Sequence, residues 1–245
     1  MSVFKFKEED PEGLLTLEAI RNAIHFNKWM YEQVSVWMKN DILEVGSGIG
    51  NLSEFFIEKG ASISLSDIRK SYCNVLEKRF PDHIKKNPVR NVDLVAEDFS
   101  SKYADLIGTF DSAFALNVVE HIENDKLALK NLYSLLKSNG NLVILVPAHP
   151  ALYNKIDKSL HHYKRYTKSG IEKVILDAGF KVTQTKGFNA LGIPAWWISG
   201  TLFRSTQIRH SEMYLYDKMV PLAQLIDWLL GKSIGLSLIT FAQKP

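Results

Sequence analysis

The stretch "ILEVGSGIGNLS", residues 42–53, decides how this chain is read. A short apolar run ends in Glu44, and glycines then stand at positions 46, 48 and 50. Glycine reaches positive φ without a Cβ clash and lets another molecule approach the backbone. Where such a bend opens a helix, amide groups are left free to bind a ligand. The stretch therefore reads as a strand, a ligand-binding bend and a helix; a tight turn with no ligand is the plainer alternative. Two related bends are excluded. A P-loop needs Lys followed by Ser or Thr after its last glycine, and the dinucleotide fingerprint needs glycine where Asn51 stands.

Periodicity extends the pattern in both directions. Upstream, Ile20, Ala23, Ile24, Met30, Val34, Trp37 and Met38 predict one helix, with Asn27 filling the gap in its apolar stripe. Downstream, a helix over about 51–59 ends at Gly60, and "SISLSD" (62–67) alternates as a second strand. Tyr72, Val75, Leu76 and Phe80 share a helical face. "NVDLVAEDFS" predicts a third strand ending near Asp98, and "FDSAFALN" a fourth ending near Asn117. Glu123, Asn124 and Asp125 suit a helix start, and "SNG" (138–140) turns the chain into a fifth strand that ends near His149. Thr167 caps a further helix that Gly179 ends; sixth and seventh strands follow at 180–188 and 235–244.

Alternating strands and helices imply the α/β class: a seven-stranded, mostly parallel sheet with helices on both faces. The expected organisation is an N-terminal helical segment (1–39), a core (40–187 plus 234–245) and a helical lobe inserted before the last strand (188–233). In such sheets ligands sit at the carboxyl ends of the strands.

Composition narrows the partners. The 245 residues carry a formal charge of +3, and no Lys/Arg block of the kind that binds nucleic acid stands out. Cys73 is the only cysteine, so no internal disulfide forms and a reducing cytoplasm is the expected compartment. "MSVFKFKEEDPEG" lacks the apolar core of a signal peptide. Leu191–Phe203 is apolar but shorter than the roughly 20 residues of a spanning helix.

The run E-x-G-x-G-x-G (44–50) resembles the first motif of class I S-adenosylmethionine-dependent methyltransferases. Four later stretches extend the resemblance: Asp67 in "SLSDI", Asp98 with Phe99 in "AEDFS", "LNVVEHIEND", and "LLKSNGNLVILVP". The resemblance implies a Rossmann-like sheet, S-adenosyl-L-methionine as cofactor and S-adenosyl-L-homocysteine as product. It places the cofactor against Glu44, Gly46, Ser47 and Gly48 at the bend. Asp67 and Ile68 follow at the ribose, Asp98 and Phe99 at the adenine, and Asn117 after the fourth strand. Carboxylates suit a ribose diol and an adenine amine, whereas Glu44 would repel a pyrophosphate. Asp67 and Asp98 also read as caps of the helices that follow, and Glu44 as a brace for the loop. Asn27 either meets the methionine tail or satisfies a core carbonyl.

Candidate bases are His121 and His149, each just past a strand end; His121 with Glu120 reads equally as a helix start. The stretch 157–167, "DKSLHHYKRYT", resembles a form found in a subset of bacterial type 11/12-like methyltransferases, with Lys164 where that form has Arg. It makes His162, Tyr163 and Arg165 candidate acceptor contacts, or else a loop tied down by Arg165 and aromatic packing. Trp196 and Trp197 are candidate acceptor contacts in the lobe. No metal site is expected. The reading is methyl transfer to a small, partly apolar molecule, with O-methylation favoured. Its alternatives are methylation of a lipid or prenylated acceptor at a membrane, and a non-catalytic S-adenosylmethionine-binding partner protein. A monomer or homodimer with no nucleic-acid partner is expected, and membrane-surface contact is the lesser reading.

Overall fold

The computed structural model describes residues 8–245; most of the N-terminal stretch read above for a signal peptide, residues 1–7, lies outside them. Among the described residues the seven strands are β1 (Ile42–Val45), β2 (Ile63–Asp67), β3 (Arg90–Asn91), β4 (Phe110–Leu116), β5 (Leu136–Pro147), β6 (Lys181–Phe188) and β7 (Ser237–Gln243). They form one sheet in the order β3-β2-β1-β4-β5-β7-β6, with β7 antiparallel to both neighbours. The order reverses between β1 and β4, where the glycine bend stands.

Both faces of the sheet are covered, and the two-residue period sorts the side chains. Leu43, Val45, Ala113, Leu142 and Ile144 pack on one side with Leu129 and Ile171 from helices. Ile42, Phe114, Val143, Leu145 and Phe241 pack on the other with Met30, Val34 and Phe56.

Several elements form as their end signals predict. Asn124 caps Asp125–Leu135 by accepting from Leu127 N at 3.1 Å, and Thr167 caps Lys168–Asp177 by accepting from Gly170 N at 3.0 Å. Three expectations need correcting. The third strand stops at Asn91, because the Asp93 carboxylate accepts from Val95 N at 2.9 Å and turns the chain. The single N-terminal helix is two, Pro11–Arg21 and Ile24–Ser35. Asp10 caps the first, with Pro11 at its first position, and the break at Asn22–Ala23 leaves Ile24 63% exposed. "SNG" lies within β5 as an irregularity rather than ahead of it: Phe110 pairs with Leu136 but Ser112 with Asn141, and Asn139 takes φ 63°.

Between β6 and β7 the chain runs through a helix (Gly192–Trp197), a π-helical turn (Ile198–Leu202) and a long helix (His210–Leu229). Its two ends meet at the sheet. A Cβ on Gly187 would lie 2.3 Å from the Ile234 backbone, and one on Gly235 would lie 2.2 Å from the Phe188 backbone, so only glycines fit. The long helix is anchored by two inward acids. Asp217 accepts from Phe26 N at 2.8 Å and pairs with His25 Nδ1 at 2.8 Å. Asp227 accepts from Asn189 N at 2.7 Å and Ala190 N at 2.8 Å. Asp227→Ala leaves both buried amides without an acceptor, and we expect a loss of about 2–4 kcal/mol in urea unfolding. A loss below about 1 kcal/mol would mean that water replaces the carboxylate.

Candidate functional site

The site is built outward from the bend. Gly46, Gly48 and Gly50 have φ of 74°, 55° and 86°, so all three positions need glycine on conformational grounds. The bend is held from β2: Gly48 N donates to Asp67 Oδ2 at 2.9 Å, and Arg69 N donates to Asp67 Oδ1 at 2.9 Å. Burial raises the Asp67 pKa against the opposing pull of these two amides. Glu44 is buried at the end of β1 and accepts from the Ser53 hydroxyl. Burial pushes its pKa up to about 7, against the Ser53 and Ser47 hydroxyls. The Ser47 hydroxyl itself accepts from Ser66 N at 3.1 Å.

The two N-terminal helices roof the bend. Asn51 Nδ2 donates to Leu17 O and Asn27 Nδ2 donates to Ile20 O, both at 2.8 Å. Each amide thus satisfies a helix carbonyl, while its buried Oδ1 has no donor; Thr16 Oγ1 is likewise buried and unpartnered.

A cavity of about 970 Å³ runs from this bend across the strand ends to the segment after β6. It brings together most of the residues singled out from sequence. Asn27, Glu44, Gly46, Ser47 and Gly48 border it at one end, with Asp67 and Ile68. Asn117, His121, His162, Tyr163, Arg165 and Trp196 border it farther along.

Four residues are not among its lining. Asp98 is exposed and stands beyond the early end of β3. Phe99 is buried in the core against Tyr103, with ring centroids 4.9 Å apart. The acid that reaches the cavity here is Asp93, next to Leu94; its signal was an acid directly after Val92, five residues before the one chosen. His149 takes φ 59° as the chain turns out of β5, and Trp197 is 47% exposed while Trp196 faces the cavity.

The far end of the cavity is a buried polar cluster that was only partly legible. His162 Nδ1 lies 2.9 Å from Asp157 Oδ1, and Arg165 Nε donates to the same oxygen at 2.8 Å. Arg165 also donates to Ala148 O at 3.0 Å and lies 4.6 Å from the Trp196 ring centre. Burial opposes the charge on Asp157, but the His162 hydrogen bond and the Arg165 charge outweigh it and hold the carboxyl below its usual value. His121 and His162 meet edge to face at 4.7 Å. Burial and the neighbouring His162 push the His121 pKa down to about 3.

Glu120 is fully buried behind the histidines, and neither carboxylate oxygen has a hydrogen-bond partner. Burial pushes its pKa up to about 7. The ligating atoms of Glu120, His121 and His162 lie within 4.8 Å of one another, the one such grouping among the described residues. Asp157 and Glu120 complete the cluster. Sequence reading placed Asp157 in its motif and Glu120 beside His121, but assigned neither to the site.

A doubly wound sheet with a glycine bend and a buried acid at its switch point defines a ligand-binding α/β fold. Residues 43–142 match the family described as a methyltransferase domain. It is similar to the mitochondrial ubiquinone biosynthesis O-methyltransferase of Schizosaccharomyces pombe, with 30% identity over 49% of this chain and 43% of that protein. It also resembles the ubiquinone biosynthesis O-methyltransferase of Xanthomonas axonopodis pv. citri, with 26% identity over 60% of this chain and 64% of that one. The chain thus spans only about half the length of these relatives, 43% and 64%. In fold it is similar to a SAM-dependent methyltransferase from Archaeoglobus fulgidus, at TM-score 0.61 and 16% identity, covering 93% of this chain and 97% of that one. Among the described residues no helix is long and apolar enough to cross a membrane.

The buried acids set a pH dependence. Glu120 has its pKa raised from 4.5 to about 7, so between those values the folded chain holds a proton that the unfolded chain has released. Its contribution to stability is full below pH 4.5 and falls as pH rises through 7. His121, lowered from 6.5 to about 3, acts with the opposite sign below pH 6.5. Comparing Glu120→Gln with the parent separates the two. We expect the variant to gain on the parent from pH 5 to pH 8 by on the order of 3 kcal/mol in chemical unfolding. A constant difference across that range would place the Glu120 pKa near its ordinary value.

Proposed function

We propose that this chain transfers a methyl group from S-adenosylmethionine to the hydroxyl of a small, partly apolar acceptor. The observation that carries the reading is one cavity joining the glycine bend to the Asp157–His162 pair. The cofactor, when bound, supplies a methyl already activated on a sulfonium, so the protein's share is alignment and exclusion of water. The residues at the bend fit such a molecule. The wall offers acceptors in excess of donors: Asp67, Glu44 and Asp93, with the unpartnered Oδ1 atoms of Asn27 and Asn51. A cationic amino group, a sugar diol and an adenine amine meet that need. A pyrophosphate brings only acceptors and negative charge.

An oxygen acceptor must lose its proton as the O–CH3 bond forms and the S–CH3 bond breaks. We assign that proton to His162. Asp157 fixes its Nδ1, which leaves the other ring nitrogen as the base. His121, with its pKa near 3, holds a proton too weakly and is left as the wall beside His162. His149 lies outside the cavity lining and is set aside. The segment 188–233 covers the acceptor, with Trp196 on Arg165 as its floor. Most of the curated relatives carry O-methyltransferase names and one carries an N-methyltransferase name, which favours oxygen over nitrogen. A non-catalytic cofactor-binding protein has no use for a buried His–Asp pair at the far end of its cavity. We read the chain as cytoplasmic, a monomer or homodimer with no nucleic-acid partner.

Two measurements test this. Calorimetric titration should show S-adenosylmethionine binding and no binding of a nicotinamide dinucleotide. Asp67→Ala should weaken the former at least about tenfold while circular dichroism is retained; unchanged affinity means the ribose is misplaced. Asp157→Asn should lower turnover about 10²–10⁴-fold on a panel of phenols and alcohols, with cofactor affinity unchanged. If turnover survives, His162 is not the base.

A further inference from the structure

The long helix after β6, His210–Leu229, carries an exposed apolar stripe on its outward side. A surface helix ordinarily buries apolar residues and exposes charged ones. Here the buried positions include Asp217 and Asp227, both committed to partners within the fold. The outward positions are Tyr214, Leu215, Leu222, Leu225, Trp228 and Leu229, all exposed, with Trp228 at 70%. Their spacing of three, four and seven lines them along one side of the helix. Soluble monomers rarely expose an apolar stripe of this kind unless something covers it.

Charge and continuity indicate what that is. Arg204, Arg209 and Lys218 are exposed around the stripe, and Glu212 is the only exposed acid between 197 and 234. The stripe also meets the cavity. Phe203 and Leu215 border it while standing 73% and 62% exposed. A second copy seated on this face would set two basic rims against each other and close both cavity mouths. A bilayer with anionic headgroups neutralises the rim, accepts the leucines, and places Trp228 and Tyr214 at the level where such rings settle.

We propose that this face docks on an anionic lipid bilayer, and that the acceptor is an amphipathic molecule that enters the cavity from the lipid phase. The docking stands apart from the methyl-transfer reading; only the acceptor's route rests on it.

Flotation with vesicles tests the proposal, using phosphatidylcholine alone and phosphatidylcholine mixed with phosphatidylglycerol. The full chain should float with the mixed vesicles and hardly with the neutral ones. Lys218→Gln should lower the partition coefficient about fivefold, as one basic residue lost from a membrane surface does. Leu225→Ser with Trp228→Ser should lower it at least about tenfold. None of these three residues lines the cavity, so calorimetric cofactor binding should be unchanged and certifies the fold. Three results overturn the proposal. One is cofactor-competent protein that binds neither vesicle. The second is equal binding to both. The third is a dimer, seen by sedimentation velocity, that the double variant splits while vesicles stay unbound; this assigns the face to a second copy. Vesicle binding with no transfer to any acceptor would leave docking standing and remove the methyl-transfer reading alone.

Discussion

The Asp67 carboxylate, shared between the Gly48 and Arg69 amides, is the constraint on which the site depends. It joins the end of β2 to the bend after β1, and so fixes three left-handed glycines relative to the sheet. The same acid stands on the cavity wall. A group that is buried, twice hydrogen-bonded and still bordering open space has a structural and a ligand-facing role at once. Glu44 repeats the arrangement one strand over, held by Ser53. Neither acid would be tolerated in an ordinary core without such partners.

The two ends of the cavity solve different electrostatic problems. At the bend, acceptors outnumber donors, and the deficit is the kind a cationic, hydroxyl-rich ligand makes good. At the far end, Asp157 is anionic because His162 and Arg165 bind it, whereas Glu120 has no hydrogen-bond partner and burial dominates its protonation. Two carboxyls in one cluster are thereby pushed in opposite directions, a common mark of sites that move protons.

Much of this was legible in the sequence, for definable reasons. The β1 bend, the Asn124 and Thr167 caps and the strand periods are local signals, and local physics decided them. The alternating apolar residues of 91–98 suggest a strand running to Asp98; a single Asp93-to-Val95 hydrogen bond ends it early. The stripe from Ile20 hid a helix break, because Ile20 before it and Ala23 and Ile24 after it keep an apolar spacing. Of the paired tryptophans, only packing against Arg165 picks out Trp196. Glu120 and Asp157 lie 37 positions apart, and only the folded loop after β5 sets them around one histidine.

The glycines at 187 and 235 bring the two ends of the segment between β6 and β7 into backbone contact, and Leu236 N donates to Asn189 O at 3.0 Å just above them. A length of chain that leaves and rejoins a scaffold at one point can grow, shrink or be exchanged without bending the scaffold. The segment over the cavity is therefore a cassette. Evolution, or a protein engineer, can swap it while the sheet beneath is inherited whole.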